Sequence, residues 1–496
     1  MSNGVEESSG EVSGLEEETL DPSTEAEWEA IRQAGYRVVD QLVARHRNLR
    51  EQPCWQPPDP QARASYAEPA PEAGLGIHQV MAQAERFILP YGTGNLHPRF
   101  WGWVIGAGTL PGILGQFLAT SMNANVFGAD QGPVHLERQV LEWFKTWFGF
   151  PKGSSGLLTD GASMANLLGV AVARHAATSG KSKVEGPSTC AGLRVYASEV
   201  THNSIIKAAQ FLGLGSNGVH LVPSVQGRMD LSALAAAVEA DRRAGVKPFC
   251  LVANVGTVGI GAIDPLEEMR AFADRERLWL HADGAIGALA WLSPMLRSRL
   301  AGLTQADSLA FDLHKWGQVP YDAGCLLVRD GELHTDAFRF GAEYLNTVEG
   351  GMNHHGSHAF NAYTPLLSRA DRALKVWTMV KALGTRRLAK VFEKNAAQAE
   401  FLGRLVDKSA SLERLAPVSL NIVCFRFNDG RDEAALNKLN ERILIELQES
   451  GFCVLSPFKL NGRFCLRVAI SNHRTLRQDV EALVERVLRL GKRGQG

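Results

Sequence analysis

The chain is 496 residues long, 45% hydrophobic and 21% charged, with a formal net charge of -1. That length exceeds a usual single domain and calls for two or three packed units with sizeable cores, and the composition is that of an ordinary globular protein. A charge so near zero excludes general attraction to nucleic acid or to an anionic membrane, so partners have to be read from sites. The seven cysteines are odd in number, sit mostly in apolar runs and lack metal-ligand spacing. They are expected to be reduced thiols of a cytoplasmic protein, with no metal site.

Residues 1–25 carry Glu6, Glu7, Glu11 and Glu16 to Glu18 among Ser and Gly, without an apolar core. This predicts a disordered acidic tail and neither a signal peptide nor a membrane span. Residues 26–105 read as an arm. Ile31, Val38, Val39, Leu42 and Val43 recur at helical spacing after Trp28, and from Pro53 to Pro71 the prolines remove donors, predicting an extended path along a surface or a partner subunit. Residues 106–375 alternate apolar strands, near 193–197, 220–222, 249–253, 278–281 and 308–311, with helices such as 231–243 and 265–274. The pattern predicts an α/β domain with a mostly parallel sheet flanked by helices, binding its ligand at the carboxyl ends of the strands. Gly324 to Arg329 follows Lys315 too closely for a helical crossover and is predicted to pair antiparallel. A long amphipathic helix is expected around Ser368 to Leu383. Residues 376–496 should form a small α+β domain, with runs at 418–427, 453–455 and 463–470 around a helix over 433–450.

Two of these strand ends deliver an ionisable residue where the apolar run breaks: Asp283 in Leu278-Trp-Leu-His-Ala-Asp283 and Lys315 in Ser308-Leu-Ala-Phe-Asp-Leu-His-Lys315. A carboxylate that keeps a pyridine nitrogen protonated and a lysine that forms a Schiff base are the pair needed to hold pyridoxal phosphate. Flanked by Leu313 and Trp316, Lys315 reads as a desolvated amine, against the plainer reading of a surface lysine. The stretch Gly153 to Asn166 reads as a small-residue loop running into a helix over Leu167 to Ala176, suited to a phosphate through backbone N–H groups and Ser163, or else a plain turn and cap. Its lack of a Gly-Lys-Ser/Thr ending argues against a triphosphate. His202, just past a strand, either lies over a planar ring or caps the following helix. Thr257, in the glycine-rich Asn254 to Asp264 segment, is the polar contact expected there.

Taken together, His97-Pro-Arg-Phe-Trp-Gly102, Leu136-Glu-Arg-Gln-Val140, Thr159-Asp-Gly-Ala-Ser-Met-Ala-Asn-Leu167, the His202 segment, His281-Ala-Asp-Gly-Ala285, His314-Lys-Trp316 and Ser368-Arg369 resemble the group II pyridoxal-phosphate-dependent amino-acid decarboxylases, from about Trp28 to the end. The resemblance implies fold type I, a swapped N-terminal arm, and a homodimer with its active sites at the interface. It makes Lys315 the Schiff-base lysine, Asp283 the partner of the pyridinium nitrogen and His202 the stacking ring. It places Ala162, Ser163 and His314 on the phosphate side, Thr257 and Ala285 along the cofactor, and Ser368 as a phosphate contact from the other subunit. The sequence departs from the family at Met164, where a Glu is usual, and at Gly284, where an Ala is usual.

The Gly-, Asn- and His-rich stretch Gly331 to Thr364 resembles the family's catalytic loop, which makes Tyr344 the proton donor. Its His354, His355 and His358 lack an accompanying carboxylate or Cys at ligand spacing and are read as a solvated loop. The function expected is decarboxylation of an L-amino acid to its amine. Trp101 and Trp103 favour an apolar or aromatic side chain if they line the pocket and are core residues otherwise, while Arg99 leaves an acidic substrate open. An aldehyde-forming oxidative relative would replace Tyr344 by Phe. A carbon–carbon lyase of the same family would need extra basic phosphate ligands, and a cofactor-binding scaffold without turnover would not need Lys315 and Tyr344 together.

Overall fold

In the computed structural model, which describes residues 19–340, 350–352 and 359–493, the first helix is set by a capping box. Thr24 accepts the Glu27 N–H at 3.3 Å while the Glu27 carboxylate accepts the Thr24 N–H at 3.1 Å, which launches α1 (Glu25–Arg47). The unit Met1–Gly94 also holds α2 (Pro60–Ser65) and α3 (Ile77–Phe87). The first of these interrupts the stretch expected to be extended, because Asp59 caps it and Pro60 takes the first helical position, where a missing N–H costs nothing. On α1, Trp28, Ile31, Tyr36, Val38, Val39 and Val43 are all exposed.

In the unit Asn95–Gly496, α4 (Leu110–Met122) and α5 (Gly132–Trp147) precede the main sheet. The sheet is built from β1 (Ser155–Thr159), α6 (Ala162–Ala177), the short α7 (Lys181–Val184), β2 (Leu193–Ser198), α8 (Asn203–Phe211) and β3 (Val219–Val222). After a small ribbon, β4 (Ser224–Val225) and β5 (Arg228–Met229), it continues through α9 (Leu231–Arg243), β6 (Lys247–Asn254), α10 (Leu266–Glu276), β7 (Trp279–Asp283), β8 (Ser308–Asp312) and β9 (Gly324–Val328). The spatial order is β1-β9-β8-β7-β6-β2-β3. β9 runs antiparallel to β8, as its short connection requires, and to β1; the other pairs are parallel. This is the α/β class read from the sequence.

β1 corrects one expectation. Ser155-Gly-Leu-Leu-Thr159, which its composition predicts to be loop, is a fully buried edge strand, and α6 begins at Ala162 rather than Leu167. Gly156 makes the strand fit: a Cβ there would stand 2.9 Å from Leu141 and 3.0 Å from Leu327. The small residues that imitate a loop are what close packing on α5 and β9 demands.

Beyond the sheet come α11 (Gly331–Phe338) and α12 (Ala373–Asp407), the latter broken at Gly384, whose φ is 72°. Ser368 therefore precedes the long helix rather than opening it. A four-stranded antiparallel sheet, β10 (Leu412–Arg414), β11 (Ile422–Phe427), β12 (Ser456–Leu460) and β13 (Arg463–Ala469) in the order β10-β11-β13-β12, is completed by α13 (Glu433–Glu449) and α14 (Arg477–Arg493). No helix of the described residues is long and apolar enough to cross a membrane.

Candidate active site

The sheet register brings the chemistry to one edge. Asn254 stands opposite Asp283 and Asp283 opposite Ala310, while Gly324 stands opposite both Asp312 and Thr159. The ends of β1, β6, β7 and β8 are thereby aligned, and the N-terminus of α6 is drawn against β8: the Ala162 N–H donates to Asp312 Oδ1 at 2.7 Å. No side chain fits at Gly324, where a Cβ would lie 2.6 Å from the Gly161 backbone.

Lys315 extends from a turn pinned on both sides by buried Leu313 and Trp316, the latter donating to Asn395 Oδ1 at 3.1 Å. Neither sequence reading describes its surroundings fully. The side chain is 23% exposed, and its Nζ pairs with Asp312 Oδ2 at 2.7 Å. His314 is buried and stacked on Tyr321 at 4.2 Å between ring centroids; its Nδ1 accepts the Ala323 N–H at 3.0 Å, so Nε2 carries the proton. Burial holds its pKa below the ordinary value.

Asp283 is buried and accepts from the Asn166 side-chain amide at 3.0 Å and the Ala285 N–H at 3.1 Å. The Asp-Gly departure has a steric cause: a Cβ at Gly284 would sit 2.5 Å from Ala288 Cβ. His202 caps α8, its Nδ1 accepting the Ser204 N–H at 3.2 Å and facing Ser204 Oγ at 2.8 Å. His202 as a whole is exposed. Its pKa is lowered, first by desolvation; the charges of Asp283 and Asp312 raise it and that of Lys315 lowers it, which places these groups in one electrostatic neighbourhood. The capping and stacking readings of His202 are thus compatible, because the cap uses only Nδ1 of an exposed side chain.

Ser163 is exposed on the first turn of α6, and Ala285 is half-buried after Asp283. Thr257 is buried and accepts the Ala262 N–H at 3.0 Å, closing its own loop. Ser368 is exposed, between exposed Leu366 and Leu367 and buried Arg369. Tyr344, His354, His355 and His358 lie outside the described residues. Trp101 is fully buried in a hydrophobic cluster with residues of β11, β13, α13 and α14, its Nε1 donating to Thr475 Oγ1 at 3.2 Å, whereas Trp103 is 58% exposed, so only one of the two indoles is open.

A family model for the pyridoxal-dependent decarboxylase conserved domain matches residues 60–428. The chain belongs to that family. An aromatic-L-amino-acid decarboxylase of Bacillus atrophaeus is 32% identical over 470 residues, covering 94% of this chain and 96% of the relative. Tyrosine decarboxylase 4 of Petroselinum crispum is 27% identical, covering 90% and 91%. Among solved structures, Oryza sativa TDC with PLP and tryptamine superimposes with a TM-score of 0.89 at 23% identity, covering 96% of this chain and 100% of that one. The Catharanthus roseus tryptophan decarboxylase in complex with L-tryptophan gives 0.84 at 25%, covering 95% and 99%.

The decarboxylase is therefore a carboxy-lyase acting on an amino acid with pyridoxal phosphate as cofactor. Its residues fit that group. Asp283 has lone pairs beyond its two hydrogen bonds, Lys315 carries the primary amine, and α6 offers a helix N-terminus to an anion. Asp312 was not singled out from the sequence, although its spacing of three from Lys315 was visible in the motif. Its carboxylate holds both the Ala162 N–H and the Lys315 amine. Arg467, buried on β13, donates to Gly259 O at 2.9 Å and Trp103 O at 3.0 Å, and its Nη2 has no hydrogen-bond partner among the described residues. Nothing in its local sequence marks it.

One consequence of burial is measurable. His281 is fully buried, and desolvation pushes its pKa down from 6.5 to about 3. The unfolded chain then binds a proton that the folded one refuses, so this contribution to stability is complete above pH 6.5 and is lost progressively as pH falls toward 3. About 2 kcal/mol should disappear between pH 7.5 and 5. Denaturant unfolding of the His281→Gln variant should show a correspondingly flatter pH dependence; identical slopes would count against it.

Proposed function

We propose that the decarboxylase converts an aromatic L-amino acid to its amine and carbon dioxide. The observation that carries this reading is the near end-to-end similarity to the aromatic-L-amino-acid decarboxylase of Bacillus atrophaeus, supported by the neighbours solved with tryptamine and L-tryptophan. Bound pyridoxal phosphate supplies the sink for the electron pair left when the carboxyl carbon departs. Lys315 holds the cofactor through its amine, Asp283 keeps the ring nitrogen protonated, and His202 lies against the ring face. Ala162, Ser163 and His314 surround the phosphate, and Thr257 and Ala285 line the remainder. Tyr344 returns a proton to the substrate carbon.

A homodimer completes the reading. Leu110, Leu114, Phe117, Leu118 and Met122 form an exposed apolar face on α4, with Leu366 and Leu367 exposed beside Ser368. A second copy would cover these faces, bring Ser368 to the neighbouring phosphate and take the N-terminal arm. All seven cysteines are buried thiols, in keeping with a reducing, cytoplasmic setting.

The test is a panel of the twenty standard amino acids plus dihydroxyphenylalanine and 2,4-diaminobutyrate, read as carbon dioxide, amine and hydrogen peroxide. Tryptophan, tyrosine or dihydroxyphenylalanine should give amine without peroxide. Preference for an acidic side chain, or stoichiometric peroxide, defeats the proposal. In the same assay Tyr344→Phe should lower amine formation by about 100-fold or more, as expected for a general acid.

A further inference from the structure

We infer that Asn166 and His281 are positioning residues that set the Asp283 carboxylate and the His202 ring from one shared amide. The inference rests on the reading that those two groups face the cofactor. Neither Asn166 nor His281 has a part in the chemistry described above, and both are buried, at 1% and 0% exposure.

The contacts form a chain whose direction is fixed by the donors available. Trp279 Nε1–H, which can only donate, reaches Ser308 Oγ at 2.8 Å. The Ser308 hydroxyl keeps its own proton and turns it to His281 Nδ1, 2.7 Å away, because the acceptor-only Asp283 carboxylate at the other end of the chain claims the Asn166 NH2 and so leaves Nε2 of His281 as the donor. His281 is neutral because burial depresses its pKa, so its single N–H is on Nε2, and it donates to Asn166 Oδ1 at 2.9 Å. The two hydrogens of Asn166 Nδ2 are then spent separately, on Asp283 Oδ2 at 3.0 Å and Ser204 Oγ at 2.9 Å. Ser204 passes its proton to His202 Nδ1 at 2.8 Å, the same nitrogen that accepts the Ser204 N–H. Reversing the amide would set its oxygen against the Asp283 carboxylate and its NH2 against the Nε2–H of His281. Only one arrangement satisfies every member, and it specifies the tautomers of both histidines.

A separate observation shows that space is kept for this chain. Gly169, on α6 one turn after Asn166, lies under the His281 ring, and a Cβ there would stand 2.6 Å from Cε1 and 2.8 Å from Nδ1. The helix that carries Asn166 thus also carries the notch that seats its donor. Ring and carboxylate are held by the same strand, β7, two residues apart and facing one helix.

The test uses full-length protein loaded with pyridoxal 5'-phosphate, measuring the induced circular dichroism of the bound cofactor, its dissociation constant, and kcat and KM for the best substrate of the panel. His281→Phe keeps an aromatic ring and removes both hydrogen bonds; His281→Gln keeps one donor and one acceptor. His281→Phe and Asn166→Ala should lower kcat by about 10- to 100-fold with KM changed less than about 3-fold, weaken cofactor binding about 10-fold and diminish the dichroic band. His281→Gln should stand within about 5-fold of wild type. Wild-type kcat and dichroism in His281→Phe and Asn166→Ala, with only stability lowered, would overturn the inference, as would His281→Gln being as impaired as His281→Phe. Should those variants not fold, Ser308→Ala, which deletes one hydroxyl, is expected to show the same pattern at about 3- to 10-fold, and wild-type behaviour there overturns it equally. If the wild-type chain itself binds no pyridoxal phosphate, the functional reading fails; if it binds and the variants match it, the positioning role alone fails.

Discussion

Lys315→Ala protein should form no amine from any amino acid and should lack the absorption band that pyridoxal phosphate gives when joined to a lysine. The expectation follows from the local geometry. Leu313 and Trp316 are anchored in the core on either side, so the Lys315 stem leaves the backbone in a fixed direction, and its Nζ rests 2.7 Å from Asp312 Oδ2. That ion pair makes an instructive control available. Lys315→Arg retains a cation for Asp312 but has no primary amine, so it should be as inactive as the alanine variant while keeping more of its stability. Loss of activity in Ala with retention in Arg would mean that the charge matters and the amine does not. Carbon dioxide release surviving in Lys315→Ala would falsify the assignment outright. Asp312→Asn adds a third arm: it spares the amine and removes the carboxylate beside the α6 N-terminus, and should leave the absorption band in place.

The parts of the site legible in the sequence are those defined within a few residues. Asp283 and Lys315 stand where an apolar run stops, and the strand ends that carry them align in the sheet as a parallel α/β reading requires. The parts that were not legible depend on distant partners. Asn166 and His281 are 115 residues apart, and each sits in its own motif without any local sign that they meet. β1 was hidden because the small residues of Gly153 to Gly156 have the composition of a turn, although Gly156 is what close packing on Leu141 and Leu327 demands. Trp101, which the sequence leaves open between pocket and core, is core: its Nε1 donates to Thr475, 374 residues away, a partner that no local pattern encodes. Periodicity encodes which face is buried; it does not encode which buried polar groups are paired.

The same distinction governs the largest stability effect expected of a single substitution. Two motifs that seemed separate in the chain, Leu136-Glu-Arg and Ser368-Arg369, meet as a buried ion pair, with Arg369 Nη2 2.6 Å from Glu137 Oε1 at side-chain exposures of 2% and 0%. Arg369 also donates to Val126 O at 2.8 Å and Leu158 O at 2.9 Å, and Glu137 Oε1 accepts the Leu158 N–H at 3.1 Å. The pair therefore ties the segment bearing Ser368 to α5 and to the edge strand β1. Arg369→Met would leave the Glu137 carboxylate buried without its cation, at a cost of about 3–5 kcal/mol, because the desolvation of the charge is no longer offset. The double variant Glu137→Met with Arg369→Met removes the uncompensated charge as well, and should recover a large part of that loss; the backbone groups of Val126 and Leu158 that lose partners keep it from recovering all. Denaturant midpoints of the wild type, both single variants and the double variant form a complete cycle. Additive losses in the double variant would show that the two side chains act independently, and would remove the ion pair as the reason these motifs occur together.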